Sequence, residues 1–509
     1  MASLGQVQIA EPRRPRADVL LAAGAAVLVF ALVFAGGIVA AYVAAGLITL
    51  IGIGLAKPDM ATLAVVFVIY ADLAAVAVRS HGVPKLVAVS FFAMLLLPVA
   101  YYVVVRRETL RTDTVFGLMF AYLAVQLASA VFARDVAHSM QVIASFVTEG
   151  LAIYFLLLNA IRTPAVLRRC LWMMIAAGVL LGSASVMQKA SNHYRSDYGG
   201  LALTQLSTTK NEPVVSSDED ARLADQELHP RALGPIGDAN FYAQILVVLL
   251  PIAVLRFWAE RKRAARWLAV AAVIPILGGI VLTLSRGAAL AVICFCCALL
   301  ALRYMKLRHA VIPAIAVVLV LVLAPEYGSR LSTLGKIGSP GMRSADSSIR
   351  ERSAIYLSGV RIFLDHPLLG VGIGQAPEYL PEYSNYSGHS RLQRKMGAHN
   401  MYLESLAETG VLGFIVLMAM VVITLRRLWR LRAYLQVTNP EHAHTVTSLL
   451  LAIAVFLVTG IFLHLAYARY FWLLLAMAGA ACAVYMPPEG ETVAVPSRHT
   501  STVEQILSV

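Results

Sequence analysis

The chain has 509 residues, 59% of them hydrophobic and only 14% charged, with a mean hydropathy of +0.74; this composition excludes a soluble globular domain and describes a polytopic membrane protein. Lys and Arg total 42 against 29 Asp and Glu, a net charge of +13. In a membrane chain such an excess reflects cytoplasmic loops and contact with anionic lipid before nucleic acid, for which no motif is present. The cysteines (Cys170, Cys294, Cys296, Cys297, Cys482) all fall in apolar segments, so neither a disulfide framework nor a zinc site is indicated.

A spanning helix needs about 20 apolar residues, with about 17 as the lower limit. Taken in chain order, residues 1–18 form a tail carrying Arg13, Arg14 and Arg16, and spans are predicted at 19–35, 38–55, 61–78, 86–105, 114–132, 140–160 and 167–186. A second set is predicted at 240–257, 266–284, 288–304, 309–325, 410–425, 446–463 and 466–485. The total is fourteen if the stretch Val19 to Ala56 folds back at Gly36-Gly37. The even count places the basic groups Arg106/Arg107/Arg111, Arg162/Arg168/Arg169, Arg261/Lys262/Arg263, Arg303/Lys306/Arg308 and Arg426/Arg427/Arg430/Arg432 on the side of the N-terminal arginines, so both termini are predicted cytoplasmic. The first span is followed by further spans rather than a small-residue cleavage site and reads as an anchor, not a removable signal peptide.

This orientation divides the chain into a cytoplasmic tail at 1–18, N-terminal membrane helices at 19–186, an extracytoplasmic loop at 187–239 and central membrane helices at 240–325. A large extracytoplasmic loop at 326–409, C-terminal membrane helices at 410–485 and a cytoplasmic tail at 486–509 complete it. In the first long loop the acidic run Asp218-Glu219-Asp220, with Asp225 and Glu227 nearby, offers oxygen ligands without the loop geometry a cation demands, and no metal is assigned. In the second, Ser348-Ile349-Arg350-Glu351 is a capping box opening a helix with Ile355, Ile362 and Phe363 on one face, closed by His366-Pro367. That helix is expected to lie on the bilayer surface. Gly370, Gly372 and Gly374 follow; no strand precedes them, so a packed turn is favoured over a dinucleotide-binding loop. Arg350, Arg352, Arg361, Arg391, Arg394 and Lys395 outweigh the acids of this loop and suit anionic groups or lipid headgroups, while Tyr379, Tyr383 and Tyr386 add aromatic rings.

Residues from about 231 to 425 resemble the O-antigen ligase and polymerase superfamily of bacterial surface-glycan enzymes. The resemblance is carried by Arg231-Ala-Leu-Gly-Pro-Ile-Gly-Asp-Ala-Asn240, by Leu284-Ser-Arg-Gly-Ala288, by Asp365-His-Pro-Leu-Leu-Gly-Val-Gly-Ile-Gly374, by Ala398-His-Asn-Met-Tyr-Leu-Glu404, and by Glu408-Thr-Gly-Val-Leu-Gly413. Ala239 stands where many relatives have proline. The fold implied is an all-α, GT-C-like membrane protein of about fourteen spans with a helical periplasmic cap. The activity implied is metal-independent, inverting transfer of a glycan from an undecaprenyl diphosphate carrier to an acceptor hydroxyl, at the periplasmic face of the bacterial inner membrane and without a cofactor. The partners implied are membrane lipid, that lipid-linked donor, and a glycan or lipid A core acceptor.

Carried onto this sequence, the family pattern makes His399 the acid/base residue, removing or polarising the acceptor proton. An unperturbed imidazole titrates near 6.5 and suits that role at neutral pH. Arg231, Arg286 and Arg352 are assigned to the donor diphosphate, because guanidinium groups grip phosphate oxygens by paired, charge-assisted hydrogen bonds as leaving-group charge develops. Asn240, Asn400 and Glu404 are supporting candidates. Plainer readings exist for each: a solvated loop histidine, a snorkelling Arg286, and an Arg231 that balances Asp225, Glu227 and Asp238. The surrounding motifs favour the functional ones. Ligase, polymerase and O-linked protein oligosaccharyltransferase chemistry share this donor logic. A rival class, a lipid-linked glycan flippase or proton-coupled transporter, draws on Asp72 inside a predicted span, and a noncatalytic assembly scaffold would need none of these side chains.

Overall fold

The computed structural model of the chain describes residues 57–84, 92–204, 230–306, 346–386, 397, 399–464 and 468–486, with the side chains of 346–353 and 385–386 outside the description. The predicted spans at 19–35, 38–55 and 309–325 therefore lie outside the described residues. So do the acidic run at 218–220 and the loop residues Arg391, Arg394 and Lys395.

The first described helices are α1 (Pro58–Tyr70) and α2 (Leu73–His81). They meet at a 59° bend, so the predicted continuous span at 61–78 is a broken one. The break sits at Asp72, whose backbone is left-handed (φ 58°) and whose carboxylate lies 2.8 Å from the Arg469 guanidinium. A charge at membrane depth is tolerated when paired. This partner balances the charge of Asp72, the residue on which the transporter reading draws. Next come α3 (Leu96–Ala100), continued as a π-helical turn to Val105, and α4 (Thr114–Ala130), capped by Asp113. They are followed by α5 (Val136–Ala160), which contains a π-helical turn, and α6 (Pro164–Ala190), which has Thr163 as its cap and proline in its first turn.

Two short strands, β1 (Leu203–Thr204) and β2 (Ala232–Gly234), pair antiparallel and are the departure from an all-helical fold among the described residues. They are followed by α7 (Ala239–Ala259), α8 (Arg263–Leu282), α9 (Arg286–Ala301), α10 (Asp346–Asp365), α11 (Ala376–Tyr386), α12 (Met401–Thr438), α13 (Pro440–Thr459) and α14 (Ala468–Tyr485). Helices α5, α6, α7, α8, α12, α13 and α14 are long and apolar enough to cross a membrane, with the α1–α2 pair as an eighth candidate. Leu96–Val105, α4 and α9 coincide with predicted spans but fall short of that length. The chain is thus a mostly helical multi-pass membrane protein.

Helix α7 is the hub. It is apolar on all sides and 83% of its membrane window is buried, against 28% for its neighbour α8, which is how an all-round apolar helix behaves when it is enclosed by others. It packs against α6, α8, α9 and α13. Helices α6 and α8 approach closely because Gly178 and Gly182 carry no side chain: a Cβ at Gly182 would collide with the Pro275 carbonyl. Small residues spaced by four are the usual means of close helix contact in lipid.

The predicted surface helix forms as α10, but one face is buried in protein: Ile355 and Ile362 join Val371, Tyr379, Leu380 and Ala407 in a small core. Its opposite face exposes Leu357, Val360 and Leu364, continued by Leu368 beyond the helix end, an apolar stripe suited to the bilayer boundary. The glycines after it form a packed turn. Gly370, Gly372 and Gly374 all have positive φ, and the Val371 and Gly372 amides donate to the carbonyls of Ala407 (3.0 Å) and Glu408 (3.1 Å). The last predicted loop residues, 401–409, are already helical. They begin α12, which is interrupted only by non-helical backbone at Gly410, where a side chain would strike the Leu368 carbonyl.

Candidate functional site

Four turns at one end of the bundle build the site, and local hydrogen bonding sets each. Before α7, the Asp238 carboxylate caps the helix by accepting from the amides of Asn240 (2.7 Å) and Phe241 (3.0 Å). The turn that carries Arg231 folds over Tyr242, whose ring leaves no room for a Cβ at Gly234. Arg231 is half-buried: its Nε donates to the Thr283 carbonyl (2.8 Å) and its Nη2 to Asn240 Oδ1 (3.3 Å). Asn240 thus holds the arginine.

Thr283 belongs to the second turn. There Leu284 adopts φ 52°, the Ser285 hydroxyl caps α9 through the Ala288 amide, and Arg286 opens the helix half-buried. The backbone oxygen that fixes Arg231 is therefore three residues from Arg286. The third turn contains His399, whose φ of 48° is left-handed, a conformation uncommon outside glycine and stored where surrounding structure enforces it. Asn400 follows and caps α12, accepting from the amides of Tyr402 and Leu403 at 3.0 Å each. The fourth turn, 460–464, is tied to the third by the Met401 amide donating to the Gly460 carbonyl (2.9 Å).

Arg231, Asn240, Ser285 and Arg286 line a cavity of about 420 Å³ that is closed by Thr459, Phe462 and Leu463, within the usual range for a ligand pocket. His399 is not in that lining. It is joined to the wall by His464, the residue after Leu463: the two imidazole rings pack edge to face, 5.7 Å between centroids, and the far side of His464 packs on Phe241 at 5.0 Å. A Cβ at Gly397 would meet the His464 ring at 2.7 Å. Burial pushes His464 below the ordinary imidazole value, with the Asp238 carboxylate pulling the other way. Its Nδ1 is covered and has no hydrogen-bond partner among the described residues.

The structure therefore brings Arg231, Arg286 and Asn240 to one cavity and sets His399 beside its wall. Asn400 acts through the backbone, as a helix cap. Glu404 lies one turn along α12, outside the cavity lining, where its charge approaches Glu408 and Tyr122. Arg352 is carried on α10, with its side chain outside the described residues; that helix reaches the fourth turn through the Tyr356 hydroxyl, 3.3 Å from the Ile461 carbonyl. Sequence reasoning missed His464. The available signal was its position immediately after the predicted span at 446–463, on the same predicted membrane face as His399.

Residues 271–418 match the family model described as O-Antigen ligase. The matched interval contains Arg286, Arg352, His399, Asn400 and Glu404, whereas Arg231, Asn240 and His464 lie outside it. No curated protein matches the chain.

Proposed function

Residues 271–418 assign the chain to the O-antigen ligase and polymerase superfamily, ligase-type membrane enzymes of polysaccharide assembly, and on that premise we propose that it transfers a glycan from undecaprenyl diphosphate to an acceptor hydroxyl at the periplasmic face of the inner membrane. The observation that carries this reading is the shared cavity of Arg231 and Arg286, whose wall continues through Phe462 and Leu463 into the His464–His399 ring pair.

In the proposed reaction the acceptor oxygen attacks the anomeric carbon of the donor sugar on the side opposite the carrier. The carbon–oxygen bond to the diphosphate breaks, the anomeric centre inverts, and undecaprenyl diphosphate leaves with the bonding electron pair. Arg231 and Arg286 bind the phosphate oxygens, where two guanidinium forks meet growing negative charge. Arg352 is assigned to the same diphosphate from the helix above. His399 takes the acceptor proton. A neutral His464 places no second positive charge beside the imidazolium that results, and its ring fixes the orientation of His399. Asn240 positions Arg231, Asn400 fixes the turn that aims His399, and Glu404 supports that turn from α12. No metal or cofactor enters these steps.

Around this site we assign the fourteen-span, GT-C-like arrangement with both termini cytoplasmic and 187–239 and 326–409 outside. The donor then arrives sideways from the outer leaflet. Reconstitution with purified undecaprenyl diphosphate glycan and, in separate reactions, lipid A core, a second lipid-linked repeat or an acceptor protein tests the reading. The expected result is carrier release coupled to one class of glycosylated product, lost in His399→Ala protein that remains folded. Full turnover by that variant, or carrier release with no product from any acceptor, overturns it.

A further inference from the structure

The other end of the bundle holds a second cavity that transfer chemistry leaves unused. It has a volume of about 780 Å³. Helix α1 starts at it; at the break that ends α1 Tyr70 donates to the Ile245 carbonyl, and near the far end of the pair Arg79 donates to the Pro235 carbonyl, beside the Arg231 turn. Helix α6 also starts there and runs for 27 residues, about 40 Å at the usual rise. The two cavities therefore lie at opposite ends of the bundle, the second at the end that the charge bias predicts to be cytoplasmic.

Five cations line this cavity: Lys57, Arg106, Arg111, Arg162 and Arg169. Two carboxylates face them. Glu108 lies 3.5 Å from Arg162, and Asp59 is shared between Arg169 at 3.9 Å and the Tyr102 hydroxyl at 3.4 Å. Lys57 and Arg106 have no carboxylate partner among the described residues, and Arg106 instead lies over the Tyr101 ring. Subtracting two carboxylates from five cations leaves a local charge of +3.

The floor and rim of the cavity differ in a way that suits a ligand with a phosphate and an apolar tail. Arg162 is the fixed floor: it is buried and donates to the carbonyls of Asn159 (2.9 Å) and Thr109 (3.0 Å) and to Asn159 Oδ1 (2.8 Å). Burial, and then the neighbouring Arg111, hold its guanidinium below the usual arginine value, a crowding that an anion would relieve. Lys57, Arg106 and Arg169 are exposed at the rim, where the exposed Met60 joins the lining; the exposed Val104 and Val105 immediately precede Arg106 in the chain.

We propose that this cavity is a binding site for the phosphate headgroup of an anionic glycerophospholipid in the leaflet facing it, with Lys57, Arg106, Arg111 and Arg169 around the phosphate, Arg162 beneath it, and the acyl chains along Met60, Val104 and Val105. Basic pockets between membrane helices are suited to such headgroups. The charge makes the site selective for anionic over zwitterionic lipid. The apolar rim makes it selective for a lipid phosphate over the free ion.

The test is lipid retention by the full-length protein, purified in detergent and titrated with phosphatidylglycerol, with phosphatidylcholine or with inorganic phosphate, and read by native mass spectrometry and by thermal shift. Phosphatidylglycerol is expected to stay bound and raise the melting temperature, while the other two do neither. The double variant Lys57→Gln/Arg106→Gln is expected to weaken that retention roughly tenfold. Lys262→Gln/Arg263→Gln, which removes equal charge from exposed positions at the start of α8, is expected to leave it unchanged. Equal retention of both lipids, equal loss in both double variants, or stabilisation by inorganic phosphate alone each overturns the assignment. The lipid comparison on the unaltered protein decides the matter even where a variant folds poorly.

Discussion

The two cavities hold their cations by different means. Around Arg231 and Arg286 the side chains are set by backbone: left-handed residues at Leu284 and His399, carboxylate, hydroxyl and amide caps at Asp238, Ser285 and Asn400, and a carbonyl at Thr283. Around the second cavity the buried Arg162 is held by the carbonyls of Asn159 and Thr109, whereas the rim is governed by charge, with Glu108 paired to Arg162 and Asp59 to Arg169. The first arrangement fixes where a guanidinium or an imidazole points, as catalysis requires. The rim of the second, at Lys57, Arg106 and Arg169, fixes how much positive charge is present more than where it points, which is what headgroup recognition requires. Function at the first cavity should therefore be broken by small changes of shape that spare charge, and function at the second by changes of charge that spare shape.

The largest expected effect is at His399. Its replacement by Ala is expected to lower transfer by about 10²- to 10⁴-fold, the usual contribution of a proton-transfer group, with the protein still eluting as a folded species. Arg286→Lys and Arg231→Lys keep the charge and remove the planar fork. Each is expected to cost about 10²-fold in turnover, and a charge-conserving change that left the rate intact would erase the contrast between the cavities.

His464 gives a finer test. His464→Ala removes the ring packed on His399 and is expected to lower kcat roughly tenfold, in line with the worth of an aromatic contact, whereas His464→Phe keeps the ring and should recover most of that loss. Equal loss in both variants would assign the effect to the imidazole nitrogens instead. Asn400→Ala removes a helix cap and is expected to cost about 1 kcal/mol of stability in a denaturation experiment.

The smallest expected effect is on pH dependence. Because burial holds folded His464 below its unfolded value near 6.5, the unfolded state binds the proton more readily. Its stabilising contribution is complete above that unfolded value and is lost as pH falls through the lower folded one. The difference in melting temperature between the protein and His464→Phe, followed from pH 8 to about 5, reads this directly.

Much of the membrane organisation was legible in hydropathy, because an apolar run long enough to cross a bilayer has few other uses. The break at Asp72 was not. Leu73 to His81 continues the apolar pattern of Pro58 to Tyr70, and the cause of the bend is accompanied by a partner, Arg469, nearly four hundred positions away. The candidate site was legible where motifs mark it: Arg231, Arg286 and His399 could be named from the sequence, and their turns now lie together. Arg231 and Asn240 fall outside the matched family interval, so their proximity to Arg286 comes from the fold. His464 escaped because a lone histidine at the end of a span is ordinary, and only packing against His399 and Phe241 sets it apart. Asn400 and Asp238 carried a readable signal of another kind, since both residue types favour helix starts.

The most direct measurement is photocrosslinking of an undecaprenyl diphosphate glycan that carries a reactive group beside the diphosphate and a second one on the sugar, with the labelled peptides mapped by mass spectrometry. The account expects the diphosphate label on the Leu284–Leu290 segment and the sugar label on His399 or on Phe462–His464, both lost on competition with unlabelled donor. Labels at Lys57–Met60 or Tyr101–Arg111, or a sugar label remote from both histidines, would contradict it.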